Sequence, residues 1–366
     1  MPTVIAVLGA VLVGPTAPAW ADEWRDRQWH LDFLKVDELH DITKGDGVTV
    51  TLIDTGVDAT HPDLRGNVLS PGVRDTAGHG TGMASLIAGH GHGQGGRDGA
   101  LGIAPKAKIL PIDAGKIDEI TPEKLKAGSV INLSISEGMQ FLVDDALRAD
   151  MVLVAAAGNT TQGDTKVVAP GKYPGVIAVS GLDRDGNFAK ESVQGPEVVL
   201  SAPAVDIMAA GAGKLGTYDA GTGTSNAAAL VSGVAALIRA KYPDLSANGV
   251  INRLIKTADD KGPPGRDPQY GFGVVNPLKA LTADIPDIDY NPLVTNEPSS
   301  SPSPDNQAGP STNENAWLPP AIGVAAGAAG SVVVVLAVIL IRRRRRRPPL
   351  LNAGHRPEQD PRPGGS

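Results

Sequence analysis

Four short segments of the chain carry side chains suited to acyl transfer. The run Val48-Thr49-Val50-Thr51-Leu52-Ile53 ends in Asp54-Thr55-Gly56-Val57-Asp58. Asp54 therefore falls at the carboxyl end of a buried strand, where α/β folds place their sites and where a carboxylate can orient a histidine. Gly78-His79-Gly80-Thr81-Gly82 opens a helical pattern in which Met83, Leu86 and Ile87 recur until Gly89. His79 thus stands at a helix N-terminus, whose positive end disfavours imidazolium and keeps the ring a base. Ala155-Ala156-Ala157-Gly158-Asn159 follows another buried strand and offers the Asn159 amide to a developing oxyanion. Gly221-Thr222-Gly223-Thr224-Ser225 leads into an apolar helix, so Ser225 is presented where free N–H groups and the helix dipole stabilise an oxyanion. Singly, each has an ordinary explanation: a turn Asp or Asn, a surface His at a helix start, an N-cap Ser. The chain has no cysteine, so a nucleophile here must carry oxygen or nitrogen, and disulfides, Cys-ligated zinc and Fe–S clusters are excluded.

The elements that must position these groups alternate between short apolar runs and helix-period stretches. This pattern predicts an α/β fold with a mostly parallel sheet. The expected strands are Val48–Ile53, Lys108–Ile112, Val130–Ile135, Met151–Ala156 and Val176–Gly181. Ala227 to Ile238 is apolar nearly all round, which predicts a helix through the centre of the domain. Thr121-Pro122 predicts a helix start, and Ser246 caps a stretch with Val250, Ile251, Leu254 and Ile255 on one face. The chain has 366 residues, 41% of them apolar, enough for the core of one large α/β domain. Its net charge of −7 is unevenly spread: eight Arg against two acids follow Ile341, leaving −13 on the remainder. An acidic main domain argues against nucleic acid as a partner.

Taken together, the four segments resemble the subtilisin-like serine proteases, or subtilases. Asp-Thr-Gly, His-Gly-Thr and Gly-Thr-Ser occur in that family's order, with Ala-Ala-Ala-Gly-Asn between His and Ser. The resemblance covers roughly Gln28 to Ala283 and implies a subtilisin-like three-layer α/β fold. It implies Ser225 as nucleophile, His79 as general base and then acid, and Asp54 holding the His tautomer. Asn159 and the Ser225 N–H would bind the oxyanion. Protein or peptide substrates would lie extended against Ser134, Ile135 and Ser136 on one side and Ala156, Ala157 and Gly158 on the other. The mechanism requires no metal or organic cofactor. Ser136-Glu137 stands where subtilases commonly have Gly-Gly, while Asn226 and Ala229 stand where they usually have Met or Phe and Pro.

The ends of the chain predict a topology. Val4 to Val13 is apolar, and Ala19-Trp20-Ala21 precedes Asp22 as a small-x-small site, so residues 1–21 are expected to be a signal peptide; a buried N-terminal strand is the alternative. Residues 22–283 form the expected peptidase domain and 284–320 a Pro/Ser-rich linker. Ala321–Ile341 is an uncharged stretch long enough to span a bilayer, and Arg342 to Arg347 follow it directly. The positive-inside rule then puts the basic 342–366 tail in the cytosol and the peptidase domain outside the cell membrane. The alternative is a buried helix with a nucleic-acid-binding tail. The domain order resembles the mycosins, membrane-anchored subtilases associated with type VII secretion in actinobacteria, and a type VII secretion complex is the partner this implies. The short stretch between Asp22 and Gly45, too short for a folded inhibitory pro-domain, fits the same group. The other function to weigh is a catalytically weak subtilase fold that stabilises a membrane secretion complex.

Three further motifs carry less. Gly91 to Gly96 fits G-x-G-x-x-G but lacks the strand–turn–helix context of a nucleotide site. His90 and His92 form an H-x-H pair with no carboxylate near in sequence, and a flexible Gly-rich loop is expected there. Asp183, Asp185 and Asn187 resemble half a calcium loop, but a turn between strands is the better reading.

Overall fold

The computed structural model describes residues 23–69, 74–75, 77–119, 128–134, 139–211 and 217–294. Ten strands are defined among these residues: β1 Thr49–Asp54, β2 His90–His92, β3 Asp98–Leu101, β4 Lys108–Asp113, β5 Val130–Leu133, β6 Val152–Ala156, β7 Ile177–Leu182, β8 Val198–Pro203, β9 Ile207–Ala210 and β10 Tyr218–Gly221. The helices are α1 Glu23–Asp26, α2 Trp29–Phe33, α3 Val36–Ile42, α4 His79–Ala88, α5 Gln140–Arg148, α6 Thr224–Lys241, α7 Ala247–Thr257 and α8 Pro277–Thr282.

Six strands form one parallel sheet in the order β4-β1-β5-β6-β7-β8. Its side-chain alternation divides the interior into two cores. Val50 and Leu52 of β1, Val130 of β5 and Val152 and Val154 of β6 face α4, α6 and α7. Ile53, Ile131, Leu133, Leu153 and Ala155 face the opposite way, onto Leu142, Val143 and Ala146 of α5. This is the expected three-layer arrangement, because strands buried on both faces must be covered by helices on both. Helix α6 is buried along most of its length, which explains why Ala227 to Ile238 shows no polar face. Ser246 caps α7 by accepting from the Gly249 N–H at 3.0 Å.

Register sets the site. Ile53 pairs with Leu133, and Leu133 with Ala155, so Asp54, Ser134 and Ala156 lie in one row at the carboxyl edge.

The expected strands lie within a residue of those observed at the ends that are described; β5 is observed over Val130–Leu133. Strand β8 and the hairpins β2–β3 and β9–β10 were not anticipated. Tyr218-Asp219-Ala220-Gly221 has little strand propensity, and its pairing with Ile207-Met208-Ala209-Ala210 comes from tertiary context. The segment expected to be a loose Gly-rich loop is hairpin β2–β3, with His90 paired to Leu101 and His92 to Asp98. After Ala283 the chain continues against α7: the Arg253 guanidinium donates to the carbonyls of Ala280, Ala283 and Ile285.

The expectations on residues 1–21, the Thr121-Pro122 helix start, Ile135, Ser136 and residues 295–366 lie outside the described residues; these include the 321–341 span. Among the described residues no helix is long and apolar enough to cross a membrane.

Candidate active site

Asp54 leaves the end of β1 fully buried. Its Oδ1 accepts from the Thr55 N–H at 2.7 Å, and its two oxygens lie 2.8 and 3.0 Å from His79 Nδ1. An ionised carboxylate only accepts, so His79 must carry its proton on Nδ1, leaving Nε2 with a free lone pair. The close approach depends on Gly80. A methyl group there would overlap the Gly56 carbonyl oxygen and press on Asp54 Cβ, so any other residue would push α4 away from the β1 loop.

The acids around His79 work against the helix end, and the ring remains a base. Burial opposes its protonation, but the hydrogen bond to Asp54 and the charges of Asp54 and Asp75 outweigh it and raise the imidazole pKa above the ordinary histidine value.

Asp75, which the motif reading missed, ties the segments that carry Asp54 and His79 together. Its carboxylate accepts from the Thr55 and Thr81 hydroxyls and from the N–H groups of Ala77, Gly78 and Thr81. Burial pushes its pKa up, yet these donors together bring it below the usual carboxylate range. The signal was a lone acid just ahead of a helix that starts on glycine, a position where a carboxylate satisfies free N–H groups.

Ser225 sits in the first turn of α6. Its hydroxyl points at the Ser134 carbonyl, 3.4 Å away, and among the described residues no hydrogen bond joins it to His79. Catalytic hydrogen bonds are often long in unliganded enzymes and tighten with substrate. Asn159 follows β6 and Gly158, with its side-chain oxygen accepting from the Thr224 N–H at 2.9 Å. That bond occupies the Asn159 side-chain oxygen and leaves its NH₂ group to donate elsewhere. Gly158 and Thr224 are also joined, N–H to hydroxyl at 3.1 Å and hydroxyl to carbonyl at 3.2 Å, so Asn159 and Ser225 are held in one frame. Asn226, the departure from the usual serine motif, donates to the carbonyls of Ala204 and Gly221 and pins β10 beside Ser225.

His79, Ser225 and Asn159 all line one cleft of about 740 Å³. Of the residues expected to hold substrate, Ser134 contacts Ser225, while Ala156, Ala157 and Gly158 lie buried at the end of β6.

A second buried aspartate was also missed. Asp63 accepts from His92 Nδ1 at 2.6 Å, from the Tyr218 hydroxyl at 2.8 Å and from the Ala100 N–H at 2.7 Å. Burial, with the charge of Asp63 and the bond to it, raises the Tyr218 pKa and keeps the phenol a donor. Trp24 stacks on Tyr218 with ring centroids 5.3 Å apart. The carboxylate absent near His92 in sequence is thus supplied through space. His90 instead contacts the carbonyls of Gly91 and Arg65, so the two imidazoles do not converge on a common point. Among the described residues no group of three or more His, Cys, Asp or Glu is placed to hold a metal. Asp183 forms a turn, accepting from the N–H groups of Asp185 and Asn187.

A base and a hydroxyl facing one cleft at the carboxyl edge of this sheet suit hydrolysis of a peptide bond, and the class defined is that of the subtilisin-like serine endopeptidases. Residues 45–273 match the Subtilase family, and the chain belongs to it. It is similar to Mycosin-1 of Mycobacterium tuberculosis, 33% identical over 78% of this chain and 80% of the relative. It is also similar to a thermostable alkaline protease of Halalkalibacterium halodurans, 33% identical over 69% of this chain and 73% of that protein. Among solved structures, MycP1 from the ESX-1 type VII secretion system superposes with a TM-score of 0.63 at 27% identity, covering 76% of this chain and 91% of that one. The MycP3 protease from the ESX-3 type VII system gives 0.60 at 30% identity, over 70% and 88%. The protein is a mycosin-like serine endopeptidase.

Proposed function

We propose that Ser225 attacks the carbonyl of an extended peptide while His79 Nε2 takes the hydroxyl proton. Asp54 then stabilises the imidazolium, and the Asn159 NH₂ group and the Ser225 N–H receive the oxyanion. His79 returns the proton to the leaving nitrogen, and a water repeats the sequence to release the acyl group. The observation that carries this reading is the buried Asp54 carboxylate at 2.8 Å from His79 Nδ1, which leaves Nε2 available in the cleft that Ser225 lines. The residues before the scissile bond would run between Ser134, Ile135 and Ser136 and the Ala156–Gly158 segment. Each step uses protein side chains and water.

The setting we propose is the outer face of a cell membrane, anchored through 321–341 with the arginine-rich end in the cytosol. There the protease would serve a type VII secretion complex. The apolar stretch followed by six arginines, together with the likeness to MycP1 and MycP3, supports this.

Peptide hydrolysis by the full-length protein tests the chemistry. Activity should vanish in Ser225→Ala with the fold intact by circular dichroism, and activity that survives would refute the assignment. For topology, external protease on intact cells should spare a C-terminal epitope; its digestion would contradict the orientation.

A further inference from the structure

Among the described residues, those lining the cleft run from Ser225 past His79. It extends over Gly78, Met83 and the hairpin β9–β10, and Ser134 and Ala156 to Gly158 are not among its lining residues. In serine acyl transfer the base that accepts the hydroxyl proton delivers it to the leaving nitrogen. The part of the substrate that departs with that nitrogen must therefore pass on the His79 side of Ser225, which is where the cleft opens.

Among its described lining residues, this wall carries one fixed charge. Apart from His79, Asp219 is the one ionisable acid or base of the Asp, Glu, Lys, Arg and His type among the described residues lining the cleft. Its Oδ1 accepts from the Ala220 N–H at 2.9 Å, and no lysine, arginine or histidine among the described residues forms an ion pair with it. The side chain is exposed, but its backbone is held. Asp219 pairs with Ala209 across the hairpin, and its neighbour Tyr218 is tied to Asp63 and stacked on Trp24. A carboxylate held on a paired strand beside the path of the leaving chain costs little to organise when a cation arrives.

We propose that Asp219 makes the enzyme selective for a basic side chain, lysine or arginine, within the first few residues after the scissile bond. The inference rests on the reading of Ser225 and His79 given above. Asp219 touches only the departing half of the substrate and takes no part in bond making. Its effect is that of a partly exposed ion pair, a preference of about fivefold for a cationic over a neutral residue, weakened by salt.

The test is digestion of a randomised peptide library by the full-length protein, with sequencing of the new N-termini, alongside fluorophosphonate labelling of each protein. The wild type should enrich Lys and Arg close behind the cut, less so as ionic strength rises. Asp219→Asn should remove the enrichment, and Asp219→Lys should turn it toward Glu and Asp. Wild-type protein that labels and cleaves with no such preference overturns this proposal alone. The same holds if the preference persists in variants that still label. Wild-type protein that neither labels nor cleaves overturns the reading of Ser225 and His79, and this one with it.

Discussion

Among the described residues, two buried aspartates are each bonded to a histidine, and one of the pairs, Asp54–His79, faces the cleft that Ser225 lines. Asp54–His79 and Asp63–His92 have contacts of 2.8 and 2.6 Å, and the imidazoles are almost equally exposed, 39% and 40%. Neither the bond nor the exposure distinguishes them. The difference lies in the third group. His79 lines the cleft that Ser225 also lines, whereas Asp63 spends its remaining acceptor capacity on the Tyr218 hydroxyl and the Ala100 N–H. A carboxylate saturated by a phenol and a backbone amide is a bracket: it fastens hairpin β2–β3 to β10, whose Tyr218 lines the cleft. An Asp–His pair therefore gains a chemical role only from what faces the free ring nitrogen.

The widest separation between the two pairs should appear on removing their charges. Asp54→Asn should lower kcat about 10⁴-fold, since an amide can hold the wrong tautomer. Because Asp54 raises the His79 pKa, the same change should also move the acid limb of the pH profile to lower pH. In the wild type, activity needs neutral His79, so kcat/KM should fall about tenfold per pH unit below the raised pKa. Stopped assays across pH 5 to 9 give both readings.

Asn159→Ala should cost about 10²–10³-fold in kcat with little change in KM, the loss expected when one oxyanion donor is removed. A rise confined to KM would instead place Asn159 in ground-state binding.

Asp63→Asn should behave differently, costing about 1–3 kcal/mol of stability in denaturant unfolding by leaving buried donors poorly paired. The pH profile should keep its acid limb, and a shift there would erase the distinction between the two pairs.

The candidate catalytic residues were legible because each belongs to a short motif at an element boundary: Asp54 ends a strand, His79 begins a helix and Ser225 lies in the first turn of another. Parallel register then converts those boundaries into one row, as Ile53, Leu133 and Ala155 show. The second pair was not legible, since Asp63, His92, Ala100, Tyr218 and Trp24 come from distant parts of the chain and carry no common spacing. Asp75 lay in between: its position before α4 was visible, but its bond to the Thr55 hydroxyl across the β1 loop was not.

A smaller effect is expected at His30, a histidine with no acid beside it. The ring is fully buried, neither nitrogen has a hydrogen-bond partner among the described residues, and burial lowers its pKa to about 3. The unfolded chain takes up this proton below the ordinary pKa of 6.5 while the folded one does not, so His30 removes stability as pH falls from there, by up to about 1.4 kcal/mol per unit. Unfolding of His30→Leu between pH 7 and 4 should show a shallower loss than wild type, and equal slopes would contradict this.

The most direct measurement is to treat the full-length protein with a fluorophosphonate probe and locate the adduct by peptide mass spectrometry, beside His79→Ala and a heat-denatured sample. A single adduct on Ser225, absent when His79 is removed or the fold is lost, is the predicted result. A folded protein that takes up no probe, or takes it up equally without His79, would contradict the assignment of Ser225 and His79 as nucleophile and base.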